Sequence, residues 1–486
     1  MKRTYFVATL FIALFFLGSC SSQKNYRLGT LSYEIGEYYR ATEKYRKAYR
    51  KDDNLQHKME MAYRMAEAYR AIGDYGRAAI WYQNAIRRQH PDFKAVLYWA
   101  DCLRATQKYD EAIEAYQQYL DSFPTDVRAI NGLDACRYTR EWEANPTRHV
   151  VNTVRELNSR YSDYTPVFVG GRDNEILMTS ARENNVGRKE SGITGAYFAD
   201  IYRAEYQVQR QKWGPPQLVD ESGRINSPDE EGAMTLSQNG DEMIFTRARY
   251  DKQADLGTEL YRVKMSRGDW SEPTKLDLVG DSLVEAHPSL SANGDTLYFV
   301  SDKPGGYGGK DIWMATRNGG SFSNVVNLGP KINTPGDEVF PTIRSNGELY
   351  FSSNYHMGMG GLDIFKATRN ENNEWRLQNL KAPINSTGDD FGMAFIEGEE
   401  MRGMFASNRK GSRGDDIYSF YLPPKVFRVA GEIYDKESGQ RLDGARIRII
   451  GTDGTNLRMR ADNGQFQMKL NPETEYVFAA FKDGYL

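Results

Sequence analysis

EAHPSLSANGDTLYFVSDKPGGYGGKDIWMATRNGGSFSNVVNL, residues Glu285–Leu328, sets the plan for most of this chain. Four short runs alternate in it with turn signals: Pro288-Ser289-Leu290, Leu297 to Ser301, Asp311 to Ala315 and Val325 to Leu328. Asn293-Gly294 separates the first two runs, and that pair favours a type I′ turn because both central positions need positive φ. Gly305 to Gly309 supplies the second connection. The segment reads as one four-stranded antiparallel unit.

The next unit repeats it with Pro341, Asn346-Gly347, Leu349 to Ser353, Gly360-Gly361 and Asp363-Ile364-Phe365, about 52 residues further on. Upstream the order recurs as Asn239-Gly240, Ile244 to Thr246, Glu259-Leu260-Tyr261 and Trp270, and before that as Ile176 to Ser180, Asp200-Ile201-Tyr202 and Trp213. Downstream lie Met404 to Arg409 and Asp415 to Tyr418. Such units bury both faces only by stacking around a ring, which predicts a five-bladed β-propeller. Six blades is the alternative, because Arg182 to Ala199 interrupts the first repeat. The fifth unit stops at Leu422-Pro423-Pro424 without a fourth strand, since proline ends a ladder. Val150-Val151-Asn152 followed by Asn158, Asp163 and Pro166 echoes Val325-Val326-Asn327 followed by Asn333, Asp337 and Pro341. Strands from both ends of the domain would then close the ring and remove its edges. Over residues 150 to 422 the repeats, clearest from Ser301 to Trp313, resemble the WD-like repeats of TolB-type propellers.

Residues 1–19 read as a targeting segment: Lys2 and Arg3 precede a largely apolar run, Tyr5 to Phe16, too short to span a membrane comfortably. Leu17-Gly18-Ser19-Cys20 resembles a bacterial lipobox, which implies acylation of Cys20; a plain secretory signal is the alternative. No Asp follows Cys20, which by the same resemblance implies the outer membrane, lipid-anchored and facing the periplasm. The formal charge of -3, or -5 once Lys2 and Arg3 are removed, argues against a nucleic-acid partner.

Residues 20–144 read as helices. Gly36, Tyr38, Ala41, Tyr45 and Ala48 recur as Gly73, Tyr75, Ala78, Tyr82 and Ala85, and again as Gln107, Tyr109, Ala112, Tyr116 and Tyr119. Small residues let paired helices approach while tyrosines fill the seams, which resembles the tetratricopeptide pattern, with Val127 to Trp142 as a capping helix. The resemblance implies a partner-binding groove lined by Tyr26, Thr30 and Tyr33, then Glu60, Tyr63, Glu67 and Arg70, then Lys94, Leu97, Asp101 and Arg104. A solvated spacer is the competing reading. Cys102 and Cys136 fall at equivalent places on successive units, too far apart for an easy disulfide, and are expected as free, buried thiols.

Residues 425–486 alternate with period two between turn signals, from Val429 to Asp435, Gly444 to Ile449, Asn463 to Phe466 and Tyr476 to Ala479. That predicts an antiparallel β-sandwich. It resembles the carboxypeptidase regulatory-like domain and stops before that family's last strand, which reads as truncation.

Support for catalysis is thin. There is no Gly-x-Ser-x-Gly elbow. His57, His90, His149, His287 and His356 form no ligand-spaced pair, so neither metal nor cofactor is expected. Asp200, Glu259, Asp311, Asp363 and Asp416 place one acid per repeat at matching positions. Facing a channel they could bind a cation or basic peptide; the favoured reading is structural, each capping its preceding loop. Gly305 to Gly309 and Met357 to Gly361 lack the Lys-Ser/Thr and helix of a phosphate cradle.

The order lipobox, helical repeats, propeller and sandwich resembles the OmpA-family lipoproteins of Bacteroidetes, including those of type IX secretion. The resemblance implies an envelope scaffold whose partners are secretion-system proteins, with peptidoglycan held through a following domain that this chain lacks. A propeller that binds a glycan or peptide is the alternative.

Overall fold

The computed structural model describes residues 22–187, 189–249, 257–280, 282–398 and 401–485. The targeting segment and Cys20 lie outside the described residues. Two compact units are present, one ending at Tyr421 and the other spanning Leu422–Leu486.

Among the described residues the first unit has seven helices: α1 (residues 22–34), α2 (Tyr38–Tyr49), α3 (Leu55–Ala71), α4 (Tyr75–Arg87), α5 (Lys94–Ala105), α6 (Tyr109–Leu120) and α7 (Val127–Ala144). They form antiparallel pairs for the reason the sequence gives. Ala41, Ala48, Ala78, Ala85 and Ala112 are fully buried and bring backbones together, while Tyr45, Tyr82 and Tyr116 fill the gaps. Left-handed residues Gly36, Gly73 and Gln107 turn the chain within each pair. Asn54 and Asp126 start α3 and α7 by accepting first-turn N–H bonds. Cys102 and Cys136 are free and buried.

Five antiparallel sheets follow among the described residues. Their first strands are Asp163–Phe168, Glu230–Leu236, Ala286–Leu290, Glu338–Ile343 and Asp390–Phe395. Each first strand neighbours the next, and the fifth returns to the first, so the sheets form a closed, propeller-like ring. The last sheet takes its outer strand from the other end: Val150–Thr153 pairs antiparallel with Asp416–Tyr421.

Every first strand is bulged at the same place, at residues 165–166, 232–233, 287–288, 340–341 and 392–393. Thr165, His287, Phe340 and Gly392 are left-handed there. For His287 and Phe340 that conformation costs on the order of 1–3 kcal/mol. It is held by what surrounds it: the His287 and Phe340 rings stack at 3.7 Å and Phe340 stacks on Phe391 at 4.5 Å. Pro166, Pro288 and Pro341 occupy the bulge position that donates nothing to the ladder.

The second unit has a two-stranded sheet, Phe427–Glu432 with Gln465–Leu470, and a three-stranded sheet ordered Asn456–Arg460, Arg446–Gly451, Tyr476–Phe481. Both contribute to one apolar cluster that includes Ala445, Ile447, Ile449, Met459 and Phe466.

Candidate functional site: the helix-bearing face and the joints of the ring

Within the first unit, the turn inside each helical pair is bonded to the ring. Helix α2 has no side-chain cap; its first-turn N–H groups, Tyr39 and Arg40, instead donate to the carbonyls of Ile193 and Gly192, each at 3.0 Å. Those carbonyls belong to the insertion in the first sheet. A helix start that would otherwise leave orphan donors is thus completed by another part of the fold. In the second pair the Tyr75 hydroxyl donates to Asp389 at 2.9 Å. In the third, Gln107 donates to Thr387 at 3.2 Å and Arg104 to the Gly358 carbonyl at 3.4 Å. Trp142 of α7 packs with Met359 and Ala382.

This seat divides the groove residues into two sets. Tyr26 and Tyr63 are half-buried, Glu60 keeps about a third of its side chain exposed, and Lys94 is exposed. Thr30 and Tyr33 face the first pair's seam, where Tyr45 donates to Thr30 at 3.2 Å. Glu67 and Arg70 are bonded to one another at 2.9 Å and both meet the Tyr82 hydroxyl. Leu97, Asp101 and Arg104 are buried. Asp101 and Arg104, which the resemblance placed in the groove, are therefore enclosed instead. Tyr116 and Arg128 donate to Asp101 at 2.6 and 2.8 Å. Burial works against ionisation of Asp101, and Arg128 and then Arg104 overcome it, holding its carboxyl below the usual range. Burial opposes the charge on Arg104 as well, but Tyr116, Asp101 and Asp363 hold it firmly protonated. Of the residues expected to line the groove, Tyr26, Glu60, Tyr63 and Lys94 keep exposed surface away from the ring.

The five acids at matching positions do not face a channel. Asp200, Glu259, Asp311, Asp363 and Asp416 are buried at the starts of their third strands. Asp200 accepts from Val186 N–H at 2.7 Å, Asp311 from Tyr307 N–H at 2.6 Å, and Asp363 from Met359 and Gly360 N–H at 2.9 Å. Glu259 differs, meeting Lys275 at 2.9 Å and Tyr261 at 2.7 Å.

A second set of acids, of which the sequence pattern marked only Asp163, sits at the starts of the first strands: Asp163, Glu231, Glu285, Glu338 and Asp390, all buried. Four of them close a repeated clamp. Asn226 both donates to and accepts from the backbone of Ile201 at 3.0 and 2.9 Å. Asn333 does the same at Ile312, Asn385 at Ile364 and Asn158 at Ile417. The residue after each asparagine, Ser159, Ser227, Thr334 or Ser386, donates its N–H to the acid four positions on. The motif Asn-Ser/Thr-x-x-x-Asp/Glu is visible four times in the sequence. It also shifts the echo of Asp163 from Asp337 to Glu338.

First-strand and third-strand acids meet across the joints between sheets. Glu231 bonds to Asp200; burial raises both, Asp200 to about 6 and Glu231 to about 8 even against Arg247 at 2.8 Å, so the proton of that pair resides on Glu231. Burial, with Asp311 adding to it, pushes Glu338 up to about 7. Burial also brings Asp363 to about 7 against the pull of its two N–H donors, with Asp390 raising it further. Arg182 and Arg409 neutralise Asp163 and Asp390, each at 2.6 Å; the fourth sheet has Tyr355 where they have arginine.

The glycine loops are part of the same joints. Gly309 N–H donates to Gly336 at 2.9 Å and Gly361 N–H to Gly388 at 3.1 Å. A Cβ on Gly360 would collide with the Gly388 carbonyl, so Gly360→Ala is expected to lower the midpoint of thermal unfolding by several degrees, about 2 kcal/mol. An unchanged midpoint in a calorimetric scan would refute that reading.

At the other end of the first strands lies a cavity of about 210 Å³, lined by the bulged segments and by the turns near Gln238, Ser291, Ser345 and Gly398. The helices touch the opposite face. His287, lining this cavity, is held uncharged by burial, its pKa lowered to about 3. Among the described residues no cluster of side chains has the makings of a metal site, and no helix is long and apolar enough to cross a membrane.

Residues 26–92 and 63–127 match the tetratricopeptide repeat family. No curated protein matches the chain. Among solved structures it is similar to a luciferin-regenerating enzyme at 12% identity, covering 56% of this chain and 95% of that one, with a TM-score of 0.35. TolB from Acinetobacter baumannii aligns at 15% identity over 56% of this chain and 57% of that one, with a TM-score of 0.30. A protein of unknown function from Dyadobacter fermentans aligns at 15% over 54% and 77%, with a TM-score of 0.35.

Proposed function

We propose that this chain is a non-enzymatic scaffold lipoprotein, anchored in the outer membrane through Cys20 and facing the periplasm. It would hold proteins of an envelope complex, of the type IX secretion kind, against one another. In this reading the ring is a five-bladed propeller, the second unit is a regulatory-like sandwich, and any grip on peptidoglycan comes from a domain outside this chain. The supporting observation is the three-point seat of the helical repeats on the ring through Ile193, Asp389 and Thr387. It makes the two parts a rigid support and leaves the N-terminal half of the groove, with Tyr26, Glu60, Tyr63 and Lys94, for a partner.

The test is affinity purification from gently solubilised envelopes, comparing wild type with Glu60→Ala/Tyr63→Ala/Lys94→Ala. Secretion-system proteins should be recovered with wild type and reduced at least about tenfold in the variant; equal recovery would remove the groove from the proposal. Export of secreted cargo should fail in a clean deletion, and incorporation of labelled palmitate should be lost in Cys20→Ala.

A second reading takes the ring's central cavity as a glycan or peptide site. It is favoured by the strained, left-handed His287 and Phe340 lining that cavity. Saturable binding of an oligosaccharide or short peptide, abolished by Ser289→Trp, would support it.

A further inference from the structure

The outer face of the three-stranded sheet in the second unit carries a grid of arginines. Arg446 lies directly opposite Arg460, and Arg448 directly opposite Arg458. All four are exposed, and the intervening Ile447 and Met459 point the other way into the apolar cluster. Opposed residues on neighbouring strands are about 5 Å apart, and same-face residues along a strand are about 7 Å apart. Two like-charged pairs stacked in this way oppose the sheet they sit on. The fold supplies little to offset them: Arg446 meets the exposed Asp483 at 2.6 Å, and among the described residues Arg448, Arg458 and Arg460 have no acidic partner. The four arginines, with Phe481 at one end, line a cleft.

The residue type narrows what fits there. All four positions are arginine and none is lysine, which favours a planar fork of donors over a diffuse positive charge. Each opposed pair places two arginines within reach of one oxyanion, and the two rows offer that arrangement twice. We propose that this cleft binds a ligand bearing two or more closely spaced phosphate groups, one per arginine row. This does not rest on the scaffold reading, since the residues belong to a different unit and a different surface.

The test uses the full chain carrying Cys20→Ser, so that no acyl anchor contributes, titrated calorimetrically with inorganic triphosphate and with orthophosphate. Triphosphate is expected to bind one to one, at least about tenfold tighter than orthophosphate, and to weaken as ionic strength rises. Arg448→Gln/Arg458→Gln should lose at least about tenfold in affinity. Arg428→Gln/Lys469→Gln, which removes the like-charged pair on the other sheet, should bind as wild type does. Circular dichroism on both variants separates lost binding from lost folding, and Arg448→Lys/Arg458→Lys tests for the fork with charge retained. Absence of saturable binding, equal affinity for the two anions, or equal loss in the Arg428 and Lys469 variant would overturn the proposal. Stronger binding of polyglutamate than of triphosphate would overturn it in favour of an acidic protein. Co-sedimentation with vesicles containing phosphatidate, but not with phosphatidylcholine alone, would assign the phosphates to a lipid headgroup. Triphosphate binding without co-sedimentation would assign them to a soluble ligand.

Discussion

Arg104→Met is expected to destabilise the seat of the helices on the ring by about 3–5 kcal/mol, because it removes one charge from a buried, hydrogen-bonded set and leaves its partners behind. Asp101 would keep Arg128, but the Gly358 carbonyl would lose its donor and Asp363 its nearby cation. The loss falls on one boundary, not on the whole chain, so a single unfolding midpoint is a poor readout. Hydrogen exchange is the suitable measurement. Amides of α5, α6 and α7 should exchange faster by about two to three and a half orders of magnitude, at about 1.4 kcal/mol per decade, while those of the second and third sheets stay unchanged. Unchanged protection in α5 to α7 would mean that Arg104 does not hold the seat.

The ring should be more stable at pH 5.5 than at pH 8.5. Asp200, Glu338 and Asp363 have carboxyl groups raised to about 6, 7 and 7, from ordinary values of 3.8, 4.5 and 3.8. A raised group binds its proton more tightly in the folded chain than in the unfolded one. Its contribution is complete below about pH 4 and is lost as pH rises through 6 to 7. Acids lowered in the folded chain, such as Asp101, act in the opposite sense only below that window, and His287, lowered to about 3, does so only up to about pH 6.5. Glu338→Gln removes one such group while keeping an acceptor for Thr334. At pH 8.5 it should raise ring stability by on the order of 2 kcal/mol, and at pH 5.5 it should do little. Thermal unfolding of both proteins across pH 5 to 9 measures this. A wild-type midpoint that rises with pH over that range, or a variant curve parallel to the wild type's, would show that these carboxyls are ionised in the folded ring.

Asp363 belongs to both predictions: it sits in a joint between sheets and beside Arg104. The two should therefore couple, with Arg104→Met steepening the fall in stability above pH 6. Glu338→Gln lies at another joint and should leave the exchange rates of α5 to α7 alone.

Much of the architecture follows from local pattern. Asn293-Gly294, Asn346-Gly347 and Asn239-Gly240 mark hairpins, and the alternation around them fixes the faces of the strands, but only the glycines have positive φ, so these turns are not the expected type I′. Ala41 with Tyr45, Ala78 with Tyr82 and Ala112 with Tyr116 mark the helical pairs because close packing requires small residues beside large ones. The opposed arginines of the last unit were present in the sequence as Arg446, Arg448, Arg458 and Arg460, but only pairing register made them neighbours.

The rest depended on groups distant in sequence. Asp101 and Arg104 were expected in the groove because the resemblance to tetratricopeptide repeats implies it, yet a segment more than two hundred residues later, Gly358, covers Arg104. No periodicity within α5 carries that information. The acids of the third strands were found as a repeat, but their partners on the first strands were not, because each pair forms between successive sheets and its members belong to different repeats. Sequence by itself determined the helical pairs, the hairpins and their order. Tertiary structure alone decided which polar groups are buried and against what, because desolvation and proton sharing depend on what lies within a few ångströms, whereas local pattern records only what lies a few residues along the chain.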